Sequence, residues 1–261
     1  MGAASPLRID VSREGPAAWV RFERAGVLNA LGPDDLVQLA TALRTAGTSG
    51  ARVVIVRGEG GAFSAGDDLR ETAALDAPGW LRVVEGFHEL TRTAVGLDVP
   101  IVCGIDGACI GGAFEFACSC DLRIATPRAR FGCPEVGVGI AVSNAASVLL
   151  PALCGLGFAS ELIITGRLVG AEEALAHGLV NRVVEPEELD GALSELAAEI
   201  GARAPLAVAA SKRLVHDALA PAVAAAMARE TVAGATLFST RDAREGLAAF
   251  LEKRNPGFTG A

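Results

Sequence analysis

The chain has 261 residues, 51% of them hydrophobic, with a formal net charge of −8 and a pI near 5.0. This length and composition predict a folded protein with a sizeable core and exclude a disordered chain. The acidic balance repels phosphate backbones, and no lysine- or arginine-rich run offsets it, so nucleic acid is not an expected partner.

Nothing in the sequence predicts a membrane or secreted location. The start, MGAASPLRIDVSREG, lacks a basic segment followed by an apolar stretch, and the alanine-rich run 218–228 contains Pro221 and is too short to span a bilayer. Six cysteines lie mostly in apolar surroundings, without a C-x-x-C pair or a histidine cluster. We therefore expect a cytoplasmic protein with small buried thiols, and neither disulfides nor a metal site.

The order of the predicted elements indicates an α/β domain. Helical patterns at 33–46, at 78–93, from Gly111 onward and at 143–154 alternate with valine- and isoleucine-rich runs. Such alternation is typical of a largely parallel sheet. The runs that predict strands are 17–24, 51–58, 100–107, 121–127 and 181–185.

Alanine-rich helical patterns replace this alternation near the C-terminus. They occupy 189–203, 204–220, 221–238 and 240–254, and no long flexible linker precedes them. The sequence therefore predicts a core at 1–195 and a helical region at 196–261 that pack as a unit.

Two glutamates stand in apolar surroundings that would remove their water on folding. Glu115 lies inside CIGGAFEFACSC, and Glu135 lies in FGCPEVGVG. A buried unpaired carboxylate costs several kcal/mol unless its pKa rises or a partner appears, and such a cost is common at working sites. The alternative for each glutamate is a salt-bridged or solvent-reaching side chain at a helix edge.

Glycine-rich loops occupy 57–69, 103–115 and 131–140. In the second loop Gly112 opens a helical pattern, so its amide would point outward from a helix N-terminus, as in half of an oxyanion hole. Close packing of helix on strand explains the same glycines equally well. No G-x-G-x-x-G follows the first strand and no P-loop lysine motif occurs, which disfavours dinucleotides and nucleoside triphosphates.

Other catalytic groups have little support. The histidines His88, His177 and His216 stand alone in helical patterns, where we expect surface or helix-end positions. Ser64 does not lie in a G-x-S-x-G elbow. Carboxylates and backbone amides remain, and together they can move protons and hold a developing enolate.

Taken in order, the motifs resemble the crotonase superfamily, the enoyl-CoA hydratases and isomerases. The resemblance covers nearly the whole chain. It implies a spiral of ββα units closed by C-terminal helices that pack into a homotrimer, often a dimer of trimers. It also implies an acyl-CoA substrate and no separate cofactor, since coenzyme A is part of the substrate. The motifs are VLNAL (27–31), FSAGDDL (63–69), DGACIGGAFEFACSCDLRIAT (106–126), RFGCPEVGVG (130–139), ELIITGRLVGAEEALAHGLVNRVV (161–184) and STRDAREGLAAFLEKR (239–254).

The resemblance also assigns residues. It implies that the amides of Asp67 and Gly112 hold the thioester oxygen and that Glu115 and Glu135 flank a water. Isomerases that use one glutamate keep the position of Glu135, so both glutamates together favour hydration. The implied substrate-binding residues are Ala65, Gly66, Asp68, Leu69, Ser143, Phe250 and Lys253.

Three positions depart from the family pattern. Ser143 stands where typical hydratases have a glycine whose amide holds the catalytic water. Val27 replaces a lysine that meets the nucleotide, whereas Phe250 and Lys253 match tail positions that touch the adenine end of CoA. Asp67 places a carboxylate beside an oxyanion site, which is tolerable only if its side chain points away from the oxyanion.

The expected activity is addition of water to a 2-enoyl-CoA thioester. Within the same fold, the alternatives are a Δ3,Δ2-enoyl-CoA isomerase or another CoA-thioester enolate chemistry that uses Glu135, such as decarboxylation or thioester hydrolysis. Outside enzymes, the alternative is a noncatalytic member of the fold that binds RNA, which the net charge disfavours.

Overall fold

The larger of two sheets has six strands. The structure is a computed structural model that describes residues 5–24 and 26–261. The strands of this sheet are β1 (Arg8–Glu14), β2 (Ala17–Glu23), β3 (Val53–Gly58), β4 (Ile101–Ile105), β6 (Leu122–Ala125) and β9 (Arg182–Val183). They lie in the order β1-β2-β3-β4-β6-β9, where β1 is antiparallel to β2 and each later neighbour is parallel.

A smaller sheet contains β5 (Ala108–Ile110), β7 (Arg130–Gly132) and β8 (Val169–Gly170), in the order β5-β7-β8. The pairs β4/β5 and β6/β7 are each divided between the two sheets and are each followed by a helical segment, which makes a repeating ββα unit. Since β5 and β7 are parallel, the segments after them leave the sheet at one edge. Those segments carry Glu115 and Glu135.

Helices cover both faces of the larger sheet. The helices are α1 (Pro33–Thr48), α2 (Leu69–Thr72), α3 (Ala77–Gly96), α4 (Gly112–Ser119), α5 (Ala146–Cys154), α6 (Leu156–Thr165), α7 (Ala171–Ala176), α8 (Leu189–Gly201), α9 (Pro205–Asp217), α10 (Ala220–Phe238) and α11 (Arg241–Glu252), with 3-10 turns at Pro134–Val138 and Pro186–Glu188. No helix within the described residues has the length and apolar character needed to cross a bilayer.

The strand β3 shows why this sheet is buried. Val53, Val54, Ile55 and Val56 are all fully buried, as expected for a central parallel strand that alternates between two covered faces. Val54 and Val56 join the main core with α1 and α3, whereas Val53 and Ile55 pack with Leu193 of α8. The α8 helix therefore belongs to the sheet packing.

Each of the five predicted strands and each predicted helix overlaps an observed element. The sequence does not predict the strands β1, β5, β7 and β8. For β5, β7 and β8 the reason is their length, since they are too short to show a hydrophobic period. The predicted division between residues 195 and 196 falls within α8.

The histidine prediction is wrong for His88. This residue lies inside α3 and is 2% exposed, and burial lowers the pKa of its imidazole. His177 caps α7 and stacks on Phe158, while His216 lies in the last turn of α9 and contacts Asp121 at 2.9 Å. A single histidine in a helical pattern does not reveal which face of the helix it occupies.

The 3-10 turn that carries Glu135 packs tightly against α11. A Cβ at Gly246 would lie 2.5 Å from the Val138 backbone, and a Cβ at Gly139 would lie 2.8 Å from the Ala243 Cα atom. Backbone therefore contacts backbone at both points, so α11 supports the turn.

Replacing Gly246 with alanine is expected to lower the free energy of unfolding by about 1–3 kcal/mol, because the new methyl group overpacks this contact. Urea unfolding measures the effect. The matched control is Gly191→Ala in α8, where a Cβ meets open space. It is expected to raise stability by about 0.5–1 kcal/mol through the unfolded state. Equal effects at the two sites would contradict the close packing of α11.

Candidate active site

The two glutamates predicted from the sequence lie beside each other. Glu115 is in the first turn of α4 and is 1% exposed, and Glu135 is in the 3-10 turn after β7. A carboxylate oxygen of each and the Sγ atom of Cys133 lie within 4.8 Å of one another. A Cβ at Gly111 would lie 3.1 Å from Glu135 Oε1, so this glycine, with φ of 59°, leaves room for the carboxylate.

Ser143 binds Glu115 through two hydrogen bonds. Its backbone amide donates to Oε1 at 2.9 Å, and its hydroxyl contacts Oε2 at 2.8 Å. The Ser143 amide is therefore bonded to the carboxylate, and contact of Ser143 with a water or a substrate stays a prediction. The helix-edge alternative for Glu115 is wrong, because no cation lies within 4.0 Å of it in the described part of the chain.

Burial and repulsion keep a proton on this pair of carboxyls. Loss of water raises the pKa of Glu115 well above its usual range, and the neighbouring Glu135 raises it further, while the Ser143 contacts oppose the rise. Burial also raises the pKa of Glu135 to about 7. Two carboxyls this close titrate as a unit, so near neutral pH the pair offers one acid and one base.

Two loops bring the predicted oxyanion amides together. Ser64 forms a parallel bridge with Cys109, which lays the loop 63–69 along the start of α4. A Cβ at Gly66 would lie 2.6 Å from the Ile110 carbonyl oxygen and 3.2 Å from the Gly112 nitrogen. With its φ of 85°, this position requires glycine, and the close approach follows from it.

The backbone amides of Asp67 and Gly112 are both available. The Leu31 amide donates to Gly66 O at 2.8 Å and Leu31 O accepts from Asp68 N at 3.1 Å, so the intervening Asp67 amide is left out of this pairing. Gly112 is the first residue of α4 and has no partner within its own helix. Neither amide has a hydrogen-bond acceptor among the residues that the structure describes.

The Asp67 side chain has one bonded and one unbonded oxygen. Its Oδ2 atom accepts a hydrogen bond from the Thr72 hydroxyl at 2.6 Å, whereas Oδ1 is buried without a partner in the described residues. Burial raises the pKa of this carboxyl to about 7, with repulsion from Asp68 and Glu71 adding to the rise. Repulsion from Asp67 also adds to the rise in the pKa of Glu135.

The other predicted residues of this loop have structural partners. Ala65 donates its amide to Leu28 O at 2.9 Å. Asp68 caps α2 and lies 3.2 Å from Arg24, so its carboxylate is occupied by the protein. Leu69 begins α2 and is half-buried. Contacts of Ala65, Asp68 and Leu69 with a substrate stay predictions.

Phe250 and Lys253 lie together at the end of α11. Phe250 is 55% exposed, and Lys253 is the C-cap, with a left-handed φ of 55°. Both are free to meet a ligand from solvent. Their predicted contact with CoA also stays a prediction.

The turn after Ser143 connects three helices. Asn144 and Ala145 have left-handed φ values of 58° and 61°, a conformation that costs non-glycine residues about 1 kcal/mol or more each. The Asn144 side chain donates to Gly112 O at 3.2 Å and accepts from Thr91 at 3.2 Å. Buried Glu230 of α10 accepts from the amides of Ala145 at 2.7 Å and Ser147 at 3.0 Å.

The groups of Glu115, Cys133 and Glu135 are the one cluster in the described residues with metal-ligand spacing. Burial raises the pKa of the Cys133 thiol well above its usual range, with both glutamates adding to the rise. A protonated thiol is a poor ligand, and Ser143 already binds both oxygens of Glu115. These residues fit proton transfer better than metal binding.

Comparison with known proteins identifies the family of this chain. The family model described as enoyl-CoA hydratase/isomerase matches residues 13–261. The chain belongs to the enoyl-CoA hydratase/isomerase family. It is 36% identical to the short-chain-enoyl-CoA hydratase of Clostridium acetobutylicum over 94% of both chains, and 34% identical to the crotonyl-CoA hydratase of Syntrophomonas wolfei over 96% of this chain and 97% of that one.

Solved structures of the family confirm the predicted fold. A methylmalonyl-CoA decarboxylase in complex with 2-nitronate-propionyl-CoA superimposes with a TM-score of 0.84 at 31% identity, covering 97% of this chain and 98% of that one. The mixed α/β core with a C-terminal helical region is therefore the crotonase fold. The family is one of enzymes, so this chain belongs to an enzyme family, as the paired glutamates predict.

Four residues of the site were not assigned to it from the sequence. Tertiary contacts bring Thr72, Cys133, Asn144 and Glu230 into it. Glu230 lies in an alanine-rich helix far along the chain from the three glycine-rich loops, and the packing of α10 on α5 brings it near. Asn144 shows a weak signal, since asparagine is common in left-handed turns.

Replacing Glu135 with glutamine is expected to reduce the loss of stability with rising pH. The folded pKa is raised from 4.5 to about 7, so the wild type loses stability as pH rises through that interval. Ionisation of this group lowers the free energy of unfolding of the wild type by about 3 kcal/mol, and the glutamine variant does not show this decrease. Urea unfolding near about pH 4 and about pH 8 measures it. The control is Glu195→Gln, at an exposed position of α8. If the free energy of unfolding changes equally with pH in the wild type, Glu135→Gln and Glu195→Gln, the burial of the Glu135 carboxyl is contradicted.

Replacing Glu230 with glutamine is expected to lower the free energy of unfolding by about 1–3 kcal/mol, because the amide nitrogen of glutamine faces a backbone donor and one charge-assisted bond is lost. Thermal and urea unfolding measure the change. Glu195→Gln serves again as the control, since Glu195 is exposed and has no recorded partner. A variant as stable as this control would show that Glu230 does not hold the Asn144–Ala145 turn.

Proposed function

We propose that this protein adds water to the double bond of a 2-enoyl-CoA thioester. The observation that carries the proposal is a pair of adjacent carboxyls, whose pKa values burial raises, near the two unbonded amides of Asp67 and Gly112. This combination supplies an acid, a base and a site for negative charge within one site.

The two amides stabilise the negative charge that develops on the thioester oxygen. Each such donor contributes about 3 kcal/mol of transition-state stabilisation in comparable sites. The Gly112 amide also lies at the N-terminus of α4, where the helix dipole favours negative charge. The double bond of the substrate is then polarised, so the β carbon becomes electrophilic.

The glutamates carry the protons. The ionised carboxyl accepts a proton from a water molecule as the water oxygen bonds to the β carbon. The π electrons move to the α carbon and the thioester oxygen, and the protonated carboxyl donates its proton to the α carbon. The product is a 3-hydroxyacyl-CoA, and the pair again holds one proton. Ser143 orients Glu115 throughout, because it bonds both carboxylate oxygens.

The presence of Glu115 favours hydration over the alternatives. Isomerases of this family that use a single glutamate keep the position of Glu135, yet here Glu115 is also present, buried at considerable cost and positioned by two hydrogen bonds. A noncatalytic RNA-binding role has no support in an acidic chain. The named relatives act, by their names, on short-chain and crotonyl thioesters, so the proposed substrate has a short acyl chain.

The proposal includes the assembly and the CoA contacts. Apolar side chains on α9 and α10 are strongly exposed, including Leu206 at 85%, Leu214 at 74% and Val232 at 68%. Such a surface suits burial between copies of the chain, as a homotrimer or a dimer of trimers in the cytoplasm. Phe250 and Lys253 would then meet the adenine end of CoA. Coenzyme A enters with the substrate, and no separate cofactor is part of the proposal.

The test is the loss of conjugated absorbance when crotonyl-CoA is added. The wild type is expected to turn over crotonyl-CoA, and Glu115→Gln or Glu135→Gln is expected to lower kcat by about a hundredfold or more, because each removes an acid or a base. Glu195→Gln should retain full activity. If the wild type does not hydrate crotonyl-CoA but isomerises 3-hexenoyl-CoA, and Glu115→Gln keeps that isomerase activity, the protein is an isomerase and the hydratase proposal is wrong.

A further inference from the structure

The acidic groups around the proposed active site exceed what its chemistry uses. Asp67 is a third carboxyl, on the loop that lies against the start of α4, and its Oδ1 atom is buried without a hydrogen-bond partner in the described residues, as is Glu135 Oε2. Buried unpaired oxygens are rare in folded proteins and call for an explanation. The hydration mechanism uses the amide of Asp67 and leaves its side chain without a role.

No basic side chain offsets these three carboxyls. Within residues 5–24 and 26–261, no lysine, arginine or histidine lies within 4.0 Å of Asp67, Glu115 or Glu135. Arg24 lies 3.2 Å from the neighbouring Asp68, but it is also bound to Asp35 at 3.0 Å and to Glu71 at 2.7 Å. The site is therefore acidic, with no basic group in contact with these three carboxyls in the part of the chain that the structure describes.

The position of Asp67 brings its charge close to the acyl group. Its backbone amide is one of the two proposed donors to the thioester oxygen, so its side chain is only a few bonds from the carbonyl. Burial reduces screening by solvent and makes like-charge repulsion stronger than at a surface. With its pKa raised to about 7, the carboxyl is largely ionised near pH 8.

We propose that Asp67 is a specificity-determining residue that makes the site select neutral or cationic acyl groups and reject acyl groups that end in a carboxylate. The inference rests on the proposed function, because it requires the acyl-CoA thioester to sit at the Asp67 and Gly112 amides. A neutral chain adds no charge to the pocket, and a cationic one offsets the unpaired carboxyls. A carboxylate adds a further negative charge where nothing neutralises it.

Three saturated thioesters of similar shape test the selection by charge alone. They are 4-methylpentanoyl-CoA, which is neutral, succinyl-CoA, which has the same acyl skeleton with a carboxylate, and 3-(trimethylammonio)propanoyl-CoA, which is cationic. Calorimetric titration near pH 8 gives the Kd of each for the wild type and for Asp67→Asn, which keeps the backbone amide and the side-chain shape. Since the CoA part is common, the ratio of two Kd values isolates the acyl group.

The expected result is a change in that ratio. In the wild type succinyl-CoA binds more weakly than 4-methylpentanoyl-CoA, and Asp67→Asn reduces the difference by about tenfold, the effect of one like charge at several ångströms in a partly screened site. The advantage of the cationic thioester falls by a similar factor. A ratio that is unchanged in Asp67→Asn would overturn the proposal, because desolvation of the ligand carboxylate alone would then explain the weak binding.

Two further variants keep the test decisive. Asp34→Asn removes the same charge from the exposed start of α1 and is expected to leave all ratios unchanged. If Asp67→Asn does not fold, Asp67→Ala tests the same change of ratio.

The three saturated thioesters cannot be hydrated, so their binding is measured separately from hydratase activity. Charge selection without turnover of crotonyl-CoA would refute the hydratase alone. Turnover of crotonyl-CoA without charge selection would refute only the role of Asp67.

Discussion

The site depends on two carboxyls that lie next to each other, with no cation within 4.0 Å of either in the described residues. Glu115 and Glu135 are brought together because β5 and β7 are parallel neighbours, so the segments that follow them leave the sheet at one edge. Removal of water raises the pKa of both carboxyls, and repulsion from Glu135 raises that of Glu115 further, so the pair favours holding a proton at neutral pH. A lysine or arginine placed between them would relieve the repulsion, but it would also leave both glutamates ionised and remove the acid. The fold instead supplies neutral donors, of which Ser143 is the clearest.

Several parts of the fold offset the cost of that arrangement. The strained turn at Asn144 and Ala145 is held by Thr91, by the Gly112 carbonyl and by Glu230, so three helices fix the residue that follows Ser143. The turn of Glu135 is held from the other side by α11, through backbone contacts that only glycine permits. Strain of this kind persists only where the surroundings determine the conformation. The C-terminal helices thus belong to the active-site architecture, although they carry neither glutamate.

Much of this architecture could be predicted from the sequence, for definite reasons. The long strands have a clear apolar run, and Glu115 is conspicuous because a charge seldom stands among Ile110, Phe114 and Phe116. The order of the motifs indicated the fold and the glutamate pair.

The short strands β5, β7 and β8 could not be predicted, since two or three residues are too few to show a hydrophobic period. Glu230 and Thr72 could not be assigned to the site, because their proximity arises only from tertiary packing. The family pattern places Ser143 at a water-binding position, but the hydrogen bond from its amide to Glu115 depends on the folded structure and has no signal in the sequence.

The Ser143 hydrogen bonds change how the catalytic water would be held. If the Ser143 amide and hydroxyl are both bound to Glu115, the water must be positioned by the carboxylates themselves and by the geometry of the pocket. A serine at this position makes the donors to Glu115 part of the protein, so they remain when the water is consumed. Glu135 Oε2 is buried and has no hydrogen-bond partner among the described residues. The two glutamates therefore differ before any ligand binds, because Ser143 bonds both oxygens of Glu115, whereas one oxygen of Glu135 is unpaired.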